Sequence, residues 1–182
     1  TGAHNVSNCA TAAAIATAAG LAPEVIAEGL ASYSSGDKRL QIVPLPRGIS
    51  LLNDAYNANP GSMAAALRTV STFGKNCRRA AALGDMLELG RSTVEAHRQV
   101  GALVAELGLD YLAVTGGQAA VVADAAGTGG MDRERIKVCA GTDEVARWLA
   151  ELIEERKIQQ GDWVLLKGSR GMRMERVLAT LT

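Results

Sequence analysis

The sequence predicts an α/β fold, with a mostly parallel sheet and helices on both of its faces, from Leu40 to the end of the chain. Three observations predict it. Short β-like runs alternate with segments of helical composition throughout this region, the rhythm of parallel strands joined by helical crossovers. The runs "RRAAALGD", "DYLAVTG", "IKVCAG" and "DWVLLKG" are apolar almost without interruption, as strands buried on both faces are. Helix-start residues follow them: Ser92 and Glu95 in "RSTVEAHRQV" have capping-box spacing, and Thr142 can cap "DEVARWLAELIEE".

Taken in order, residues 5–20, "NVSNCATAAAIATAAG", are Ala-rich and end in Gly20, which suits a helix with Asn5 near its start and a glycine just past its end. Pro23 can open a second helix, whose Val25, Ile26 and Leu30 fall on one face. Two helices alone make no core, so residues 1–39 read as the end of something larger or as an appendage. "LQIVPL" and "ISLLND" flank "PRG" and read as a hairpin, with Pro44 placing the first run at a sheet edge. The four apolar strands and their helices complete a Rossmann-like domain over residues 40–182.

Composition narrows the partners. The chain has 182 residues, 48% of them hydrophobic, yet no run approaches the ~18 apolar residues of a membrane span. No charged start leads into an apolar signal core, so the expected location is the cytoplasm, without membrane insertion. Lys plus Arg and Asp plus Glu are 19 each, which gives no basic surplus for nucleic acid and favours small-molecule partners. Cys9, Cys77 and Cys139 lack C-x-x-C spacing, and His4 and His97 lack metal-motif spacing, so reduced thiols and no bound metal are expected.

Ligands of such sheets lie outside the carboxyl ends of the strands, and three turns there are rich in chemistry. "NDAYNANP" holds Asn53, Asp54, Tyr56, Asn57 and Asn59 ahead of Pro60, which suits the first position of a helix. Asp54 can accept two sugar hydroxyls, and Asn57 and Asn59 can pair with an amide or carboxylate; turn and cap chemistry is the less favoured alternative. "KGSRGMRME" sets Lys167, Ser169 and Arg170 at a helix start, suited to a phosphate or carboxylate or else a solvated basic turn. "LGDMLELG" carries Asp85 and Glu88, read as solvated surface, and Met86, Leu87 and Leu89, read as packed. A P-loop and G-x-G-x-x-G are both absent.

Together and in this order, "GAHNVSNCATAAA", "DKRL", "NDAYNANPGSMAAAL", "LGDMLELG" and "LLKGSRGMRMERV" closely resemble the Mur ligases of peptidoglycan synthesis. "YNANP" and "KGSRGMRME" are the specific parts, nearest to the members that add D-alanyl-D-alanine to UDP-N-acetylmuramoyl-tripeptide. One position departs: the acid-acid pair common before the tyrosine is Asn53-Asp54 here. The resemblance implies that residues 1–39 are the tail of a central ATPase domain and residues 40–182 a carboxyl-terminal domain. It implies ATP and Mg²⁺ as cofactors, an acyl phosphate intermediate, and the rest of the ligase chain as partner. The P-loop lysine and Mg²⁺ ligands lie outside this sequence, so the chain alone is expected to be inactive.

The resemblance also implies residue roles. Asn5, with His4, would meet the adenine, Arg39 an ATP phosphate and Asp54 the ribose. Asn57 and Asn59 would line the cleft where nucleotide and dipeptide approach, and Lys167, Ser169 and Arg170 would take the dipeptide carboxylate. Two other readings compete. One is a free-standing binding module, disfavoured by Thr1 in place of an initiator Met; the other is a sister ligase, or a folylpolyglutamate synthase, with another amino acid as acceptor.

Overall fold

The computed structural model describes residues 3–32, 40–74 and 76–182, with side chains from Val6 onward. The chain forms two compact units, Thr1–Gly36 and Asp37–Thr182. In the first, α1 (Ala3–Ala18) and α2 (Pro23–Ala31) are joined through Gly20, whose φ of 82° only glycine adopts at no steric cost. The Leu21 amide bonds Ala16 O at 3.1 Å and the Gly20 amide bonds Thr17 O at 3.0 Å, the paired bonds of a Schellman stop. Pro23 occupies the first turn of α2, which buries none of its residues. Among the described side chains of α1 and α2 none is buried.

The second unit is an α/β sheet. Its elements are β1 (Gln41–Leu45), β2 (Ile49–Asp54), α3 (Pro60–Ser71), β3 (Arg79–Gly84), α4 (Thr93–Glu106), β4 (Tyr111–Thr115), α5 (Ala119–Thr128), β5 (Ile136–Cys139), α6 (Thr142–Glu154), β6 (Trp163–Lys167) and α7 (Glu175–Leu181). Six strands stand in the order β1-β2-β6-β3-β4-β5. The predicted hairpin forms, with β1 antiparallel to β2 at the sheet edge; every other pairing is parallel.

Period-two side chains divide each central strand between two cores. Leu165 of β6 faces the layer of α3, α4 and α5, with Leu67, Val104 and Val122. Its neighbours Val164 and Leu166 face the layer of α6 and α7, with Leu149 and Val177. Each fully buried Leu or Val of this kind contributes roughly 1.5–3 kcal/mol, which explains why these strands carry no polar face.

Two helix starts differ from the sequence expectation. Ser92 ends a short 3₁₀ turn at φ −86°, ψ 0°, not the extended geometry of a capping residue, so its hydroxyl donates back to Leu89 O at 2.8 Å. Glu95 pairs instead with Arg98 and Gln99. Thr142 is already inside α6, behind Gly141 at the cap position, and Glu144 accepts the Ala140 amide at 2.8 Å. The cysteines are free thiols; burial pushes that of Cys139 up to about 11. Among the described residues no helix is long and apolar enough to cross a membrane.

Candidate functional site

The strand order places β6 between β2 and β3. The helices after β2 and β3 pack on one face, and α7, after β6, packs on the other. Adjacent parallel strands whose chains depart to opposite faces leave a crevice at their carboxyl ends, the switch point where α/β sheets bind ligands. The register brings Asp54 of β2 beside Lys167 of β6, and Leu83 of β3 beside Lys167 on the other side. The three turns singled out in the sequence therefore meet.

Asp54 and Lys167 are joined directly. Lys167 Nζ donates to Asp54 Oδ2 at 2.5 Å and to Asn57 O at 3.0 Å, and the Leu40 amide donates to Asp54 Oδ1 at 3.2 Å. The lysine side chain is 1% exposed and the aspartate 13%. A cation buried this deeply needs its partner, since removing one member of such a pair costs several kcal/mol. One base of the crevice is thus an ion pair between the ends of two neighbouring strands.

Beyond Asp54 the chain turns outward. Tyr56 and Asn57 are exposed between the buried Ala55 and Ala58, and Asn59 is exposed just after them. Asn57 Oδ1 accepts the Ala58 amide at 2.9 Å. Asn59, extended at φ −141°, accepts the Ser62 amide while Ser62 Oγ accepts the Asn59 amide, a capping box with Pro60 in the first turn of α3. Asn59 is therefore a helix cap whatever else it touches.

Ser169 is the knot of the three turns. Its hydroxyl accepts the Leu87 amide at 2.8 Å and donates to Ala58 O at 3.3 Å, and its own amide donates to Asp85 O at 3.0 Å. It is 4% exposed. Gly84 and Gly168 abut here, where a Cβ on Gly168 would stand 3.1 Å from Gly84 Cα. Arg170, next in sequence, is exposed, and its guanidinium carbon lies 5.8 Å from the centre of the Tyr56 ring; cation and ring face attract.

The middle turn corrects a sequence expectation. Glu88 is exposed, but Asp85 is buried because its carboxylate accepts the Gln118 amide at the start of α5, at 3.1 and 3.3 Å, where helix geometry favours negative charge. Gly116, at φ +119°, makes room; a Cβ there would meet the carboxyl carbon at 2.4 Å. Met86 is buried and Leu89 packs on the core, while Leu87 is 44% exposed. His97 supports this turn from α4, accepting the Met86 amide at Nε2, 3.0 Å away.

The structure thus gathers Asp54, Asn57, Asn59, Lys167, Ser169 and Arg170 at one switch point. Lys167 and Ser169 lie inside the scaffold; Asn57, Asn59 and Arg170 face out. The side chains of His4 and Asn5, and all of Arg39, lie outside the described residues. Sequence reasoning missed the Leu40 amide, Gly116 and His97. For His97 a signal existed, since it falls on the apolar face of its helix with Val100 and Val104; for the Leu40 amide there was none.

Comparison with known proteins fits this architecture. Residues 38–170 match the family described as Mur ligase, glutamate ligase domain. The UDP-N-acetylmuramoyl-tripeptide--D-alanyl-D-alanine ligase of Bacillus subtilis is 32% identical over 99% of the chain, and that of Escherichia coli 34% over 99%. The chain spans only 38% and 37% of those relatives. A crystal structure of MurF from Acinetobacter baumannii superposes with a TM-score of 0.83 at 32% identity, covering all of this chain and 38% of that one. Sheet order, switch-point turns and the match over residues 38–170 agree, and the chain belongs to the Mur ligase family.

Proposed function

We propose that this chain is the carboxyl-terminal part of an ATP-dependent ligase that adds D-alanyl-D-alanine to UDP-N-acetylmuramoyl-tripeptide in the bacterial cytoplasm. One observation carries the reading. Tyr56, Asn57, Asn59 and Arg170 face outward around a single switch point, in a chain aligned over 99% of its length with ligases named for that addition. Thr1 to Arg39 would then be the tail of the central ATPase domain, and residues 40–182 the domain that closes over the nucleotide.

The exposed and buried residues divide the work. Asp54 meets the ribose: a carboxylate offers about four lone-pair sites, and the Leu40 amide and Lys167 use two. Asn57 stands beside it, while His4, Asn5 and Arg39 serve adenine and phosphate. Arg170 pairs with the dipeptide carboxylate, and Asn59 lines the same cleft. Lys167 and Ser169 contribute by holding the turns, so that the dipeptide amine is presented in one orientation to the activated carboxyl group. Mg²⁺ belongs to the nucleotide of the whole ligase; among the described residues no group of three or more His, Cys, Asp or Glu side chains is placed to hold a metal, and this chain is assigned no step through it.

The test is ligation by the full-length enzyme with ATP, Mg²⁺ and UDP-N-acetylmuramoyl-tripeptide. D-Alanyl-D-alanine should be joined in preference to single amino acids, and Arg170→Ala should raise the KM for the dipeptide more than that for ATP. No product from the dipeptide, or a free amino acid used in its place, would sink the reading.

A further inference from the structure

His97 is 2% exposed on the inner side of α4, and no step of the proposed ligation uses it. Its bonds define its protonation. Nδ1 lies 2.7 Å from Thr93 O, which can only accept, so Nδ1 carries the hydrogen. Nε2 lies 3.0 Å from the Met86 nitrogen and accepts its N–H. The ring is therefore a neutral imidazole, and the Asp85 carboxylate 3.7 Å from Nε2 is a neighbour without a hydrogen between them.

Consecutive amides of one loop are consequently held from opposite sides. Met86 N–H is fixed by His97 from α4, and Leu87 N–H is fixed by Ser169 from the turn after β6. That turn carries Arg170 on its next residue. A void of about 10 Å³ borders the ring, and Asp85 is the ionisable residue that lines it with His97, alongside apolar Met63, Val114 and Val122. On its own helix Glu95 and Arg98 pair with each other at 58% and 57% exposure.

The geometry points to His97 as a positioning residue of the acceptor site. As a neutral imidazole it locks the loop from Asp85 to Leu89, and through Leu87 and Ser169 it sets the turn that presents Arg170. This rests on the acceptor reading proposed above.

Two substitutions separate positioning from mere filling of space. His97→Gln places an acceptor oxygen near the Nε2 position. His97→Asn can still donate to Thr93 O but is too short to reach Met86. In the full-length ligase His97→Asn should lower kcat/KM for D-alanyl-D-alanine by about 10- to 100-fold, the scale of a small misplacement of reacting groups, with the KM for ATP unchanged. His97→Gln should stay within about threefold of the parent. Amide hydrogen exchange at Met86 and Leu87 should rise in His97→Asn and not in His97→Gln, with both variants showing the parent's circular dichroism. Equal dipeptide kinetics in the two folded variants overturns the proposal. Failure of the ligase reading looks different: the parent itself makes no product with the dipeptide. The exchange comparison then decides alone, equal exchange in the two variants overturning the clamp.

Discussion

The turn after β2 and the turn after β6 have similar compositions and opposite fates. Both end a central parallel strand with a charged residue, Asp54 and Lys167, and both run into polar side chains ahead of a helix. After β2 those side chains face solvent: Tyr56, Asn57 and Asn59 are exposed. After β6 the first two fold inward, leaving Lys167 1% and Ser169 4% exposed, with Arg170 and Arg173 outside. The cause is position in the sheet. β6 lies between β2 and β3, so its turn is walled on both sides and its polar groups find partners on the neighbouring turns. Polar residues at a strand end thus mark either a ligand surface or the frame beneath one, and the neighbouring strands decide which.

Substitutions can break or sharpen that contrast. Lys167→Met should have the largest effect, because it leaves the Asp54 carboxylate enclosed without its cation, at a cost of about 3–5 kcal/mol. Urea unfolding of the larger unit can be followed by Trp148 and Trp163, which both lie in it. The midpoint should fall at unchanged slope, and an unmoved midpoint would show that the pair anchors nothing. Next comes Ser169→Ala, which strands the Leu87 amide and should cost about 1–3 kcal/mol by the same measurement. Should it prove neutral, the three turns are held together by something else.

On the outward turn the expected losses are smaller. Asn59→Ala removes the α3 cap and should cost about 1 kcal/mol, while Asn59→Asp, which keeps an accepting oxygen, should cost less; the reverse order would mean that the cap is not what Asn59 supplies. Smallest for stability are Asn57→Ala and Arg170→Ala, each within about 0.5 kcal/mol, although Arg170→Ala should raise the KM for the dipeptide. A large stability loss in either would erase the distinction between the two turns and move these residues into the frame.

Much of this was legible in the chain because it is local. The apolar period of the strands, Gly20 after the first helix, the edge-strand proline and Pro60 at a helix start act over a few residues, and each element formed where its signal lay. The capping expectations for Ser92 and Thr142 failed for a local reason too, since a 3₁₀ turn and a glycine took the geometry those side chains needed.

The site was legible in membership and not in arrangement. The sequence by itself determined an α/β domain and which three turns carry polar chemistry, because periodicity and turn composition are properties of short stretches. Only the tertiary structure decided that Lys167 closes on Asp54, 113 residues away, that Ser169 holds the Leu87 amide, 82 residues away, and that Asp85 is buried while Glu88 is not. The physical reason is that inward or outward orientation depends on which strand lies alongside. Strand order follows from how two cores share one sheet, a sum over contacts that no single turn contains.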